Sequence, residues 1–462
     1  MATTIKVSDY AVLNPTTGEV LLNFNFHSDV EVGGLLRTAN NAYENWKRLS
    51  LSERSALFRR VAEILQSRQE ELAQVMAIEM GKPVAQGKAE IVKCSFVCNY
   101  FADHAESFLA PYDVKTELAE TTVIYRPLGT VFAIMPWNFP LWQVFRAAAP
   151  TLMAGNTMLL KHAPRVPQTA LEIEKIMLEA GFPAGVLINV FASNEQAAKI
   201  IADPSIKGVC LTGSGRAGRS VAAEAGRHLK PALLELGGSD PYIVLEDADL
   251  KLAAEKIAFS RMLNNGQTCI SAKRFIVHEA VADEFTNNLI EVLKKQVIGD
   301  PLVEGVTQGP MAREDLVNEL QIQVIRSVHA GAKIIYQGST IEGSGFFFPV
   351  TLLSNVKPET PAFKEELFGP VGAIITAKST EEAVSLANQS AYGLGSAIFT
   401  GDIELGRHLA ANELNAGTCV VNDFVRSDPR LPFGGINESG YGRELGAEGI
   451  KEFVNIKTIA VG

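Results

Sequence analysis

Cysteine is scarce in this 462-residue chain: five residues, an odd number scattered over the whole length. A disulfide framework is therefore not expected, and the usage fits a reducing compartment. Basic residues are in deficit, 42 Lys and Arg against 52 Asp and Glu for a net charge of −10, which argues against nucleic acid or an anionic membrane as partner. No apolar run reaches the roughly 18 residues of a membrane helix. The opening residues MATTIKVSDYAVLNP show no basic segment followed by an apolar one, so no secretory signal is expected and the protein reads as cytoplasmic. There is no HExxH and no paired CxxC; Cys94 and Cys98 fall on one helix face, but two thiols do not make a metal site, and with Cys210 in GVCLT they read as packing residues. No metal is expected. Repeats and low-complexity linkers are missing as well, so the parts of the chain should pack tightly.

What is present is an α/β pattern in a chain too long for one ordinary core. Apolar residues at three- and four-residue spacing predict helices from Asp29 to about Gln86, with Ser52 and Glu53 near the start of the second and Gly81 at its end, and another from about Ala85 to Leu109. The period changes from Leu118 to Tyr125, which reads as a strand, and RPLG turns into the buried strand TVFAIM. Strands and helices then alternate from TMLLK to ALLEL, implying a parallel, doubly wound sheet. A second α/β series runs from Asp249 to about Asn422, and a terminal strand, FVNIKTIAV, is available to pair with the exposed hairpin. The expected division is 1–114 with 129–235, 236–447, and a small element made of 115–128 and 448–462.

One loop stands out chemically. NNGQTCIS, Asn264 to Ser271, is a turn-forming run that holds Cys269 where a thiol can stay accessible, although a lone cysteine more often packs as a small hydrophobe. Upstream, Glu235 ends the apolar run LLEL before Gly237 and Gly238, a position where desolvation raises a carboxyl toward general-base duty. Asn138, in MPWNFP, offers a side-chain amide. Thiol, carboxylate and amide make an acyl-transfer set of nucleophile, base and oxyanion donor. GSGRAG, Gly213 to Gly218, follows a strand and opens a helix, as a phosphate-binding turn does; by spacing alone Glu235 would then be the ribose-binding acid.

PWNFP, LTGSGRAG, LELGG, GQTC, EELFGP, PFGG and SGYGRE occur in this order, and with them the chain resembles the NAD(P)-dependent aldehyde dehydrogenase superfamily. KHAP, ELGGSDP and WNFPLWQVFR look most like its bacterial succinate-semialdehyde dehydrogenase branch. The resemblance implies an α/β fold with a modified Rossmann cofactor domain, an α/β catalytic domain and an oligomerisation hairpin, assembled as a homodimer or homotetramer. It implies that Cys269 attacks an aldehyde, Asn138 and the Cys269 backbone N–H hold the oxyanion, and Glu235 activates the hydrolytic water rather than binding ribose. It places Trp137, Lys161, Gly213, Ser214, Gly218, Glu366 and Phe368 at an NAD or NADP molecule: Lys161 at the adenosine ribose, Ser214 near the phosphates, Glu366 at the nicotinamide ribose and Phe368 by the ring. Three residues after Lys161, where strict NAD users carry Glu, stands Pro164, which leaves NADP admissible.

The expected substrate is a small aldehyde. Arg146, two helical turns after Asn138, needs a partner among its apolar neighbours: either a substrate carboxylate, as in succinate-semialdehyde dehydrogenases, or an internal salt bridge. A second arginine of that branch is replaced by Leu263, and Arg426 and Arg430 are the candidates to stand in for it. Succinate semialdehyde leads, with glutarate semialdehyde or a neutral aliphatic aldehyde as alternatives. Transfer of the acyl group to coenzyme A is disfavoured by Glu235, and a non-catalytic binding protein by the intact Cys269, Glu235 and Asn138.

Overall fold

The first long helix, Asp29–Trp46, starts where Ser28 and Glu31 close a reciprocal capping box, and Ser50 with Glu53 does the same for Leu51–Ser67. The cap is therefore Ser50 rather than Ser52. The helical stretch expected to run on to Gln86 breaks at Arg68, giving a separate helix Gln69–Met80 that Gly81 ends in a left-handed conformation. Val84–Phe108 follows, burying Ile91, Cys94, Cys98 and Phe101 on one face, so both thiols pack in the core. The computed structural model describes residues 10–339, 341–343 and 345–462; part of the segment searched for a targeting signal lies outside them.

Among the described residues the larger strands form two twisted sheets. In the first, the spatial order is Gly440–Tyr441, Ala232–Glu235, Ile206–Thr212, Thr130–Met135, Thr157–His162, Leu187–Asn189, parallel except at the first pair. The chain winds outward from Thr130–Met135 in one direction and then returns to start Ile206–Thr212 on its other side. The carboxyl ends of these two strands thus make a topological switch point, where open α/β sheets bind ligands. The second sheet runs Lys333–Gln337, Thr351–Ser354, Val371–Ala377, Ala272–His278, Asp240–Val244, Gly395–Phe399, Thr418–Val421, with only the first pair antiparallel.

After Val421 the chain crosses back. Gly440–Tyr441 pairs with Leu234 and Glu235, so the stretch before 447, expected in the second domain, has already rejoined the first sheet. The strand expected over Leu118–Tyr125 is Glu120–Pro127, and the terminal strand Val454–Val461 pairs with it antiparallel over its full length, Ile456 opposite Tyr125. This small sheet stands clear of the body, with Ile456 61% exposed. No helix of the described residues is long and apolar enough to cross a membrane.

Candidate active site

The thiol is positioned by a chain reversal that few residues can make. After the helix Leu250–Met262, Asn264 and Asn265 both take φ 57° and Gly266 φ 75°, three successive left-handed residues. Asparagine and glycine tolerate this region best. A Cβ at Gly266 would lie 2.2 Å from the Gly369 carbonyl carbon, so only glycine passes there. Side chains lock the reversal: Asn264 Nδ2 donates to the Asn138 carbonyl at 2.7 Å, and Asn265 Nδ2 to the carbonyls of Gly81 and Pro310, each at 2.8 Å. Buried Arg261 donates to the Gly266 carbonyl and, at 3.2 Å, to that of Leu367. Lys273 Nζ then ties the carbonyls of Thr268 and Cys269, at 3.0 and 2.7 Å. Cys269 is left partly exposed on a rigid support.

Burial pushes the Cys269 thiol up to about 12, with Arg146 and Lys273 pulling the other way. At neutral pH the resting sulfur is therefore a thiol that needs a proton acceptor before it attacks. Glu235, 2% exposed, shares this environment. Burial, reinforced by the charge of Glu444, holds its carboxyl well above the usual range against the pull of Arg146 and Arg443, and its Oε1 has no hydrogen-bond partner among the described residues. A buried acid with an orphaned oxygen, placed in the field of a thiol, is poised for proton transfer. Asn138 Nδ2 donates to the Gln267 carbonyl at 3.1 Å, which fixes the amide and leaves its second N–H free.

A cleft opens over Cys269, walled by Phe139, Trp142, Leu263, Phe424 and Phe433. The arginines expected to hold a substrate carboxylate each make an ion pair. Arg146 lines the cleft, is ion-paired with buried Glu444 through Nε and donates to Thr212 Oγ1 at 3.3 Å, so an internal salt bridge is present beside the cleft. An unpaired buried guanidinium would be too costly, and the acid in SGYGRE neutralises it. Arg426, which lines the cleft, pairs with Asp423, and Arg430, 65% exposed, chelates Asp428 and is not among the residues lining the cleft. Sequence reasoning passed over Lys93, which reaches the cleft from Val84–Phe108 and donates to Ser427 Oγ at 2.7 Å. A lysine in a helical run carries no local signal, because solvation is its default.

The remaining candidates lie at or near the strand ends of the first sheet and in the loops beside them. Lys161, 6% exposed at the end of Thr157–His162, makes no ion pair among the described residues, and burial brings its ammonium down to about 8. Ser214 caps the helix Gly215–Arg227, accepting the Ala217 N–H at 3.3 Å, and the Gly213 N–H donates to the Glu235 carbonyl at 2.9 Å. A Cβ at Gly218 would meet the Leu236 side chain at 2.7 Å, so that glycine serves helix packing. Glu366 accepts the Gly238 N–H at 3.1 Å and lies 3.5 Å from Lys273 Nζ, while Trp137 meets Phe368 edge-on, centroids 5.9 Å apart. The Glu235 side chain lies by Gly434 instead, where an added Cβ would fall 2.8 Å from its Oε1, with Arg146, Glu444 and Arg443 for company.

Known proteins share this layout. Residues 3–459 match the model of the aldehyde dehydrogenase family. The chain is 43% identical to the succinate semialdehyde dehydrogenase [NAD(P)+] Sad of Escherichia coli, covering 99% of each, and 41% identical to the succinate-semialdehyde dehydrogenase [NADP(+)] of Deinococcus radiodurans, covering 97% of this chain and 94% of that one. The crystal structure of succinic semialdehyde dehydrogenase from Streptococcus pyogenes, in complex with NADP+ as the cofactor, superimposes with a TM-score of 0.95 at 38% identity, covering 98% of this chain and 99% of that one. The chain belongs to the aldehyde dehydrogenase family.

Proposed function

We propose that the protein oxidises a short aldehyde ending in a carboxylate, succinate semialdehyde foremost, to the corresponding acid, using NAD or NADP. The observation that carries this reading is Cys269 opening on an apolar cleft with the charge of Glu235 felt at its thiol and the Asn138 amide tied to the Gln267 carbonyl two residues before it; the names of the relatives supply the substrate class.

Cys269 passes its proton to ionised Glu235, which returns it to solvent, and the sulfur bonds to the aldehyde carbon, forming a thiohemiacetal whose oxyanion meets the second N–H of Asn138 and the Cys269 backbone N–H. A bound nicotinamide would supply the hydride acceptor, and loss of hydride from this carbon leaves a thioester on Cys269. Glu235 then takes a proton from water; the hydroxide adds to the thioester, the C–S bond breaks, and the acid and thiol are released. A base at that position favours hydrolysis over transfer to coenzyme A.

The chain's own groups fit a dinucleotide. Lys161 is a buried ammonium without a counter-ion among the described residues, suited to the adenosine ribose. Gly213, Ser214 and Gly218 set the helix N-terminus against the phosphates, where its free N–H groups attract anions. Glu366 would hold the nicotinamide ribose, with Phe368 and Trp137 bounding the ring. The small sheet of Glu120–Pro127 and Val454–Val461 serves assembly into a homodimer or homotetramer in this reading, and the first and second α/β sheets, the first including the returning Gly440–Tyr441, serve as cores of the cofactor and catalytic domains of a cytoplasmic enzyme.

Purified protein should reduce NADP+ or NAD+ with succinic semialdehyde at a higher kcat/KM than with butanal, with glutaric semialdehyde as the length control. Equal efficiency for charged and neutral aldehydes would overturn the substrate assignment, and no reduction with any aldehyde would overturn the activity.

A further inference from the structure

Lys273, on the strand Ala272–His278, is 1% exposed, and its ammonium works behind the nucleophile. It donates to two consecutive carbonyls, Thr268 at 3.0 Å and Cys269 at 2.7 Å, with Glu366 Oε1 3.5 Å away. Burying an ammonium is costly, and an apolar side chain of similar length would fill the same space without that cost. Around it lie buried Arg261 and Asp240, whose Oδ2 has no hydrogen-bond partner among the described residues. A Cβ at Gly238 would fall 2.9 Å from Asp240 Oδ1 and 3.0 Å from the Cys269 carbonyl oxygen, so bare backbone at 238 lets that carboxylate approach the loop.

The Thr268 carbonyl is crowded. Besides Lys273 it accepts Ser271 Oγ at 2.8 Å and the Ser271 N–H at 3.3 Å. Across the same peptide bond stands the Cys269 N–H, which has no acceptor among the described residues. That peptide is trans and planar, so its C=O and N–H point in opposite directions within one rigid unit. Pinning the oxygen on one side aims the hydrogen on the other. A cation on the oxygen also draws electron density from the nitrogen, which makes the N–H a stronger donor. The second carbonyl that Lys273 holds belongs to the following peptide, so the residue bearing the thiol is clamped on both sides.

Resting on the aldehyde-oxidation reading above, we propose that Lys273 is a positioning residue of the oxyanion site: through the Thr268 carbonyl it aims and polarises the Cys269 N–H, and through the Cys269 carbonyl it keeps the thiol in register with that donor. Lys273 touches neither substrate nor sulfur here; it acts through the main chain. Its charge also favours the thiolate, together with Arg146 and against Glu366 and Glu235. That field bears on every reaction of the sulfur, whereas the aimed N–H helps only where an oxyanion develops.

The two effects separate by experiment. Alkylation of Cys269 by iodoacetamide displaces iodide and forms no oxyanion, while oxidation of succinic semialdehyde or butanal does. Both rates are measured against pH for wild type, Lys273→Met, Lys273→Gln and Lys273→Arg, oxidation being followed in the first turnover at saturating NADP+ or NAD+ so that weaker cofactor binding through Glu366 does not enter. Loss of a whole oxyanion donor costs roughly a hundredfold to a thousandfold, and a donor that is present but poorly aimed should cost part of that. In Lys273→Met the ratio of oxidation to alkylation should fall about tenfold or more at each pH, with both aldehydes alike. It should fall less in Lys273→Gln, which keeps an N–H on a shorter arm, and recover in part in Lys273→Arg. Equal losses of both rates in Lys273→Met, or no loss, would overturn the proposal and leave aldehyde oxidation standing. Should Lys273→Met not fold, Lys273→Gln decides, and a wild-type ratio there would overturn it. Wild type that alkylates at Cys269 but oxidises no aldehyde would defeat the underlying reading and this proposal with it.

Discussion

Arg146 and Glu444 form an ion pair beneath the active-site cleft, guanidinium Nε against carboxylate Oε2, with side chains 2% and 3% exposed. Arg146 also faces the ring of Phe433 at 4.9 Å, and Glu444 lies 3.7 Å from the Cys210 sulfur. Such a pair is costly to break from one side, because the surviving charge stays buried. Arg146→Met and Glu444→Gln should each lose about 3–5 kcal/mol of stability, and the double variant less than the sum. Chemical denaturation of the four proteins measures the coupling. Additive losses would show that the two side chains do not depend on each other.

Glu444 also sets the acidity of Glu235. Burial and the Glu444 charge both raise the Glu235 carboxyl, so deacylation should be slow at acid pH and rise as that carboxyl ionises. Glu444→Gln removes the repulsion and releases Arg146 to favour the charged form. The acid limb of the kcat profile should therefore move to lower pH. For stability the sign is opposite to that of an ordinary paired acid: the raised carboxyl contributes fully below its unfolded value of about 4.3 and loses that contribution as pH rises through the folded value. A kcat profile that does not move in Glu444→Gln would separate Glu235 from the rate-limiting step.

Thioester formation requires the Cys269 sulfur, whereas Glu235 is needed above all for hydrolysis, so two variants should fail differently. Cys269→Ala should abolish turnover while NADP+ binding, followed by fluorescence quenching, persists. Glu235→Gln should give a burst of reduced cofactor near one equivalent per site, followed by turnover slowed roughly 10²–10⁴-fold. Mass spectrometry should find the acyl group on Cys269. Turnover in Cys269→Ala, or Glu235→Gln without burst or acyl-enzyme, would refute the respective role.

Pro164 follows the buried Lys161 strand end and accepts the Ala11 N–H at 3.0 Å on its carbonyl. A carboxylate there would repel a 2′-phosphate and spare a 2′-hydroxyl. Pro164→Glu should lower kcat/KM for NADP+ about tenfold more than for NAD+, the scale of a like-charge contact at partial exposure. Equal losses with both cofactors would place the adenosine ribose elsewhere.

The terminal strand Val454–Val461 lies at the edge of its sheet with Ile456 and Ile459 exposed at 61% and 45%. An apolar edge strand of this length is normally covered. Light scattering at micromolar concentration should report a dimer or tetramer, and Ile456→Glu with Ile459→Glu should shift it to a smaller species with similar helix content. A wild-type monomer would refute the assembly reading.

The family, the two α/β series and the candidacy of Cys269, Glu235 and Asn138 could be read from the sequence, because each rests on local information. A capping box spans four residues, a left-handed reversal needs Asn-Asn-Gly, and a phosphate-binding turn needs its glycines within one turn of helix. The break at Arg68 escaped notice because its neighbours keep the apolar period and no glycine or proline marks it. Charge partners are not local. Whether Arg146 faces substrate or a salt bridge depended on Glu444, which returns to the first sheet only because Gly440–Tyr441 pairs beside Glu235. Lys93 reads as one more solvated lysine until tertiary packing turns its helix toward Trp142 and Ser427, residues distant in sequence that leave its ammonium beside the cleft without an acid. Sequence determined which groups could do the chemistry; the fold decided which charges were already neutralised, since desolvation and pairing are settled only when distant segments close on one another.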